Sequence, residues 1–220
     1  MSDASHRLDE VRGRIERAAA LARRRTDDVA LVAVSKAQDA EAIRPLLEAG
    51  HRMFGENRVQ EAQAKWPGLR ADFPDVELHL IGRLQSNKAE EAVVLFDAIH
   101  SVDRSSLVAA LGKAMAKGDR RPPCFLQVNV GEEPQKGGCA PALLPALLEE
   151  ARRHGVPVAG LMCIPPADVE PAPYFALLAK LARRHGLAGL SMGMSADYET
   201  AVAIGATHVR VGTALFGARA

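Results

Sequence analysis

Seven lysines are spread through this 220-residue chain, and one of them, Lys36, ends an apolar run, VALVAVSK at 29–36. An amine at the mouth of a buried strand loses hydration, which disfavours the ammonium and lowers its pKa from the usual ~10.4. The neutral amine is then a nucleophile for a carbonyl carbon. A structural lysine paired with a carboxylate is the competing reading. The other six raise no such question. Lys65, Lys113, Lys117 and Lys180 fall on helical faces as solvated charges, Lys88 follows an N-cap at Ser86, and Lys136 sits in the loop EEPQKGG.

Two late segments bear on the choice. SMGMSADYE (191–199) and HVRVGTALFG (208–217) each put small residues and hydroxyls between a strand and a helix. Glycines let the backbone approach an anion, while free amides and Ser or Thr hydroxyls donate to it. An anion site there with an amine at the first strand describes a phosphorylated aldehyde held as a Schiff base. Pyridoxal 5′-phosphate (PLP) fits. Arg210 would face the pyridine nitrogen, and because a guanidinium cannot accept a proton the nitrogen stays unprotonated and the ring is a poor electron sink. An aldolase that uses a lysine on a sugar phosphate shares the amine and the phosphate; Arg210 weighs against it.

Such groups must be carried by a frame. Strand-like runs begin near Val29, Arg52, Glu77, Ala98, Pro123, Pro157, Gly189 and His208, separated by segments of helical spacing such as Leu143, Leu144, Leu147, Leu148 and Ala151. A further helix, with Leu8, Val11, Ile15, Ala18 and Ala22 on one stripe, precedes the first strand. Gly50, Gly118, Gly155, Gly186 and Gly205 each follow a helical stretch, at the left-handed capping position. Alternation permits a doubly wound sheet or a (β/α)₈ barrel. Eight strands and the lack of a GxGxxG turn favour one TIM-type barrel over residues 1–220, with an extra N-terminal helix. Pro45 should shorten or kink the first crossover helix. Functional groups then belong at the carboxyl ends of strands, where Lys36, Asn57, Ser195 and Arg210 to Thr213 fall, and barrel phosphates recur after strands seven and eight.

Composition agrees with a globular domain: 48% hydrophobic, 25% charged, formal net charge +1. That balance argues against a nucleic-acid or membrane surface. Cys124, Cys139 and Cys163 show no metal or dithiol spacing. The charged N-terminus lacks the apolar core of a signal peptide, no run approaches a membrane span, and a cytoplasmic location is expected.

The motifs VAVSK, FGENRVQEAQAK, HLIGRLQSNK, SVDR, GLMCIPP and LSMGMSADYETAVAIGATHVRVGTALFG together resemble the pyridoxal phosphate homeostasis proteins. These are PLP-binding proteins with the barrel of the alanine racemase N-terminal domain. The resemblance implies an internal aldimine on Lys36, phosphate contacts from Ser195, Gly212 and Thr213, Arg210 at the pyridine nitrogen, and Asn57 as a neighbour of the cofactor. His79 falls within a matched motif, but a hydrogen-bonded core histidine explains it equally well.

Two functions share that cofactor. A PLP-dependent amino-acid racemase of the alanine racemase type needs acid–base groups on both faces of the substrate. In that family a tyrosine comes from a separate C-terminal β-domain, for which the seven residues after the eighth-strand motif leave no room. A carrier that buffers PLP or delivers it to the apo-forms of PLP enzymes, with no more than weak racemase-type activity, is the reading preferred. Without the second domain the racemase dimer loses much of its interface, so a monomer is expected.

Overall fold

A computed structural model of the chain describes residues 3–217. Its eight strands are β1 (Ala30–Val34), β2 (Met53–Glu56), β3 (Glu77–Leu80), β4 (Ala98–Val102), β5 (Cys124–Gln127), β6 (Val158–Met162), β7 (Gly189–Ser191) and β8 (His208–Val211). Each pairs with the next in parallel, and β8 closes on β1 through Ala30↔His208 to Ala33↔Val211. The expected (β/α)₈ barrel is thus present, and closure leaves no strand edge exposed. The strands are short apolar runs, and β4 and β5 are buried along their whole lengths. Parallel strands covered on both faces need that pattern.

The helices among the described residues are α1 (Asp3–Leu21), α2 (Ala40–Glu48), α3 (Val59–Asp72), α4 (Ala89–Leu95), α5 (Ser105–Lys117), α6 (Leu144–Arg153), α7 (Ala172–Arg184), α8 (Tyr198–Ile204) and α9 (Thr213–Phe216). The extra helix α1 buries Leu8, Val11, Ile15, Ala18 and Ala19 against the barrel's outer layer; Ala22 lies just past its end. Its polar contacts fasten the end of the chain: Arg7 donates to the Leu215 carbonyl, and Arg14 pairs with Glu199. None of the helices is long and apolar enough to cross a membrane.

Local chemistry departs from expectation in two places, at Gly118 and Ser86. Four of the five capping glycines have positive φ, but Gly118, which opens the proline-containing link 118–123, is extended (φ −133°). Ser86 does not cap a helix. It opens a 3₁₀ turn, Ser86–Lys88, and Lys88 occupies the N-cap of α4. Helix α2 runs through Pro45, but as an element of only nine residues. The three cysteines are free and buried.

Candidate functional site

At the carboxyl ends of the strands lies a cavity of about 540 Å³, and Lys36, Asn57, Ser195, Arg210, Gly212 and Thr213 all line it. Lys36 comes two residues after β1, Asn57 immediately after β2, and Ser195 in the β7–α8 loop. Arg210 is on β8, and Gly212 and Thr213 start α9. Arg83 is the third cation of the lining, and no carboxylate joins it among the described residues.

The backbone around Lys36 is held by a residue that sequence reasoning placed in solvent. Lys65, on α3, is a buried clamp with a side chain only 9% exposed. Its ammonium donates to the carbonyls of Ser35 (2.8 Å) and Gln38 (2.9 Å), on either side of Lys36. It also pairs with Glu56 at 2.8 Å and Glu61 at 3.0 Å. Glu56, fully buried, accepts from the Ser35 hydroxyl (2.6 Å) and the Trp66 indole (3.0 Å). Glu61 accepts from the amide of Ala37, which has φ +57°. A left-handed alanine costs about 1–2 kcal/mol, so that bend persists because its surroundings impose it. Burial pushes the Glu61 carboxyl up, but the bonds from Lys65 and Ala37 outweigh this and hold it below its ordinary value. A signal for Lys65 did exist. It stands three residues after Ala62 and four before Leu69, inside the buried stripe of α3.

The rest of the lining depends on two close approaches. Gly193 has φ +91°, and a Cβ there would meet the Ala201 methyl at 2.5 Å. Its carbonyl accepts from the Arg210 amide (2.9 Å), which ties the β7 loop to β8. Gly82 lies so near β2 that a Cβ would come within 2.3 Å of the Asn57 carbonyl oxygen. The Gly212 amide donates to the Ser195 hydroxyl at 3.3 Å, so amide and hydroxyl are side by side.

Arg210 is buried without a carboxylate partner. Its Nη1 donates to Ser191 Oγ (2.7 Å) and Nη2 to the Cys163 carbonyl (2.9 Å); burial pulls its pKa below the usual guanidinium value. Behind Ser191 a chain of bonds runs into the barrel interior. Ser191 Oγ is 2.8 Å from His100 Nδ1, and His100 Nε2 is 3.1 Å from His79 Nδ1. Arginine can only donate, so the hydroxyl proton of Ser191 goes to His100 Nδ1. His100 then carries its proton on Nε2 and donates to His79 Nδ1, leaving His79 protonated at Nε2. The reverse order would strand the Ser191 proton. His208 and Phe125 complete this layer, with His100 stacked on Phe125 at 4.3 Å and His208 edge-on at 5.5 Å. Burial holds the imidazoles neutral, His79 at about 3, His208 at about 4 and His100 well below the ordinary value. His79 is therefore a core histidine, as its burial and bonding require. Glu56 and Ser191 fall at strand ends, where functional groups belong, though neither was among the expected cofactor contacts, and Lys65 was expected in solvent.

The alanine racemase N-terminal domain family matches residues 7–220. A pyridoxal phosphate homeostasis protein of Pseudomonas aeruginosa is 44% identical, the alignment covering all of this chain and 97% of that one. Among solved structures, PipY of Synechococcus elongatus with PLP bound aligns with TM-score 0.80 at 44% identity, over 93% of this chain and all of the other. Alanine racemase of Clostridium difficile shares the fold at TM-score 0.74 and 15% identity, over all of this chain and 57% of the racemase. Full-length identity with named members and the family match assign the chain: it belongs to the alanine racemase N-terminal domain family, among the pyridoxal phosphate homeostasis proteins.

Proposed function

We propose that this protein binds PLP in the cavity at the barrel mouth, holds it through a Schiff base on Lys36, and serves intracellular PLP homeostasis by buffering or delivering it. The observation that carries the reading is the lining itself, in which an amine, an arginine on β8 and a serine–glycine–threonine cradle surround one space without a carboxylate. Those groups suit an anionic phosphate and an aldehyde. When bound, PLP supplies an electrophilic carbonyl that reacts reversibly with an amine.

The chain's own residues account for retention. Ser195, the Gly212 amide and Thr213 bind the phosphate end, and Asn57 borders the ring from β2. Lys65 and Glu61 fix the backbone that aims Lys36. Arg210, braced by Ser191 and the Cys163 carbonyl, would offer a permanent donor to a pyridine nitrogen in the cavity, which would then stay unprotonated. The two tyrosines lie outside the lining, and Tyr198 packs beneath Arg14 of α1. That favours a carrier over a racemase. We assign the role to the cytoplasm, with a monomer as the working unit and apo-forms of PLP enzymes as recipients. Nucleic acid and membranes play no part in it.

Absorbance titration tests the reading. Added PLP should give the band of a protonated Schiff base, and Lys36→Ala should abolish it; a protein that takes up no PLP would sink the proposal. Racemization assays on several amino acids should show little turnover, and robust turnover would replace the carrier with an enzyme. Light scattering that finds a stable dimer would remove the monomer.

A further inference from the structure

Beside the PLP cavity is a second hollow, of about 710 Å³, between the starts of α3 and α5. Four cations line it, Arg58, Arg83, Lys88 and Arg104, and no carboxylate does among the described residues. In a chain of formal net charge +1 that is a local excess. Ion pairs temper only half of it: Lys88 with Glu91 at 3.2 Å, Arg104 with Asp103 at 2.7 Å. The side chains of Arg58 and Arg83 are exposed and make no hydrogen bond or ion pair among the described residues.

The placement of these cations works against the helices they flank. Arg58 is the N-cap of α3 and Arg104 the N-cap of α5, helices of 14 and 13 residues, and neither side chain caps. Ser, Thr, Asp or Asn is the favoured residue there, and a cation at the positive end of a helix dipole is unfavourable. Arg83 has no hydrogen bond or ion pair among the described residues, and Arg58 feels only the nearby charge of Glu61, so both become stabilising once an anion enters the concavity. The two guanidiniums without an ion pair stand on different loops, Arg58 after β2 and Arg83 after β3, so a ligand with two linked anionic groups can meet both. The volume falls in the range of small-molecule sites, and Val59, Leu80 and Leu84 add apolar lining.

We propose that this hollow binds a small molecule carrying two linked phosphates, beside the PLP site and distinct from it. Asn57 and Arg83 line both spaces, so occupancy of one bears on the other. The site's distinctness from the PLP cavity rests on the reading that PLP fills that cavity; anion binding in the hollow does not.

Calorimetric titration of the PLP-saturated protein with inorganic phosphate, pyrophosphate and ADP at matched ionic strength tests it. Pyrophosphate should bind saturably at one site and more tightly than phosphate. Arg58→Gln and Lys88→Gln should each weaken it by about tenfold while the PLP absorbance stays unchanged. Tighter binding of ADP than of pyrophosphate would identify a nucleotide as the source of the diphosphate; equal binding would identify pyrophosphate itself. Four results would overturn the site: no saturable binding, equal affinity for phosphate and pyrophosphate, binding unaffected by either substitution, or binding that expels PLP. A poly-glutamate peptide that binds where pyrophosphate does not would make the hollow a protein-docking surface instead.

Discussion

At Lys36 the amine proposed to react and the device that aims it are different residues. Lys65 touches the carbonyl before Lys36 and the one two residues after it, and its charge is neutralised by Glu56 and Glu61. Removing one partner of a buried pair leaves the other uncompensated, at about 3–5 kcal/mol. Lys65→Met should therefore destabilise the protein by about 3 kcal/mol in urea unfolding. It should also slow appearance of the Schiff-base band, whereas Lys36→Ala abolishes the band with little loss of stability. An unchanged rate in Lys65→Met would show that the loop holds its shape unaided. This clamp was hard to see in the sequence because a lysine in a helical segment reads as a surface charge by its type, even where its spacing from Ala62 and Leu69 puts it on the buried stripe. Only the fold brings two carboxylates and two carbonyls to one ammonium.

At the scale of elements, the layer of His79, His100 and His208 couples β3, β4 and β8 inside the barrel. Their folded pKa values are depressed, so below about pH 6.5 the unfolded chain binds protons that the folded chain refuses. Their contribution is intact above pH 6.5 and is lost as pH falls towards about 4. Each such histidine adds a slope of about 1.4 kcal/mol per pH unit. Urea midpoints should be flat from pH 8 to 7 and fall steeply from pH 6.5 to 5; a flat profile down to pH 5 would mean that the imidazoles already carry charge in the fold. The β7–α8 turn makes a separate prediction. Gly193→Ala forces a methyl into Ala201 at positive φ, and strain plus overpacking should cost about 3 kcal/mol by thermal or urea unfolding. PLP affinity should fall with it, because the Gly193 carbonyl fixes the Arg210 amide. The strands and the glycine-rich loops were legible because periodicity and small residues are local signals. The histidine layer was not, since each histidine stands alone in sequence and meets the others only when the barrel closes.

For the whole molecule, α1 is the element that generic barrel logic does not require. It packs over α8 and α9, beside the proposed phosphate cradle, and Arg7 holds the Leu215 carbonyl of α9 directly. Leu8 is fully buried in that contact layer. Leu8→Ala should cost about 3 kcal/mol and weaken PLP retention, read by equilibrium dialysis. Destabilisation without any change in retention would make α1 a cover rather than a brace. The helix itself was plain from its apolar stripe; that its load falls on the final helix depends on closure of β8 against β1, which no local pattern announces.

Thiols also add to aldehydes, and a protein that holds an aldehyde must keep its own sulfur out of that competition. Cys124, Cys139 and Cys163 are all buried, and burial raises their thiols to about 12, 11 and 12. At neutral pH almost no thiolate exists to capture the cargo as a hemithioacetal. The barrel is in this respect a chemically quiet container. A thiol reagent should find no reactive sulfur until the chain unfolds.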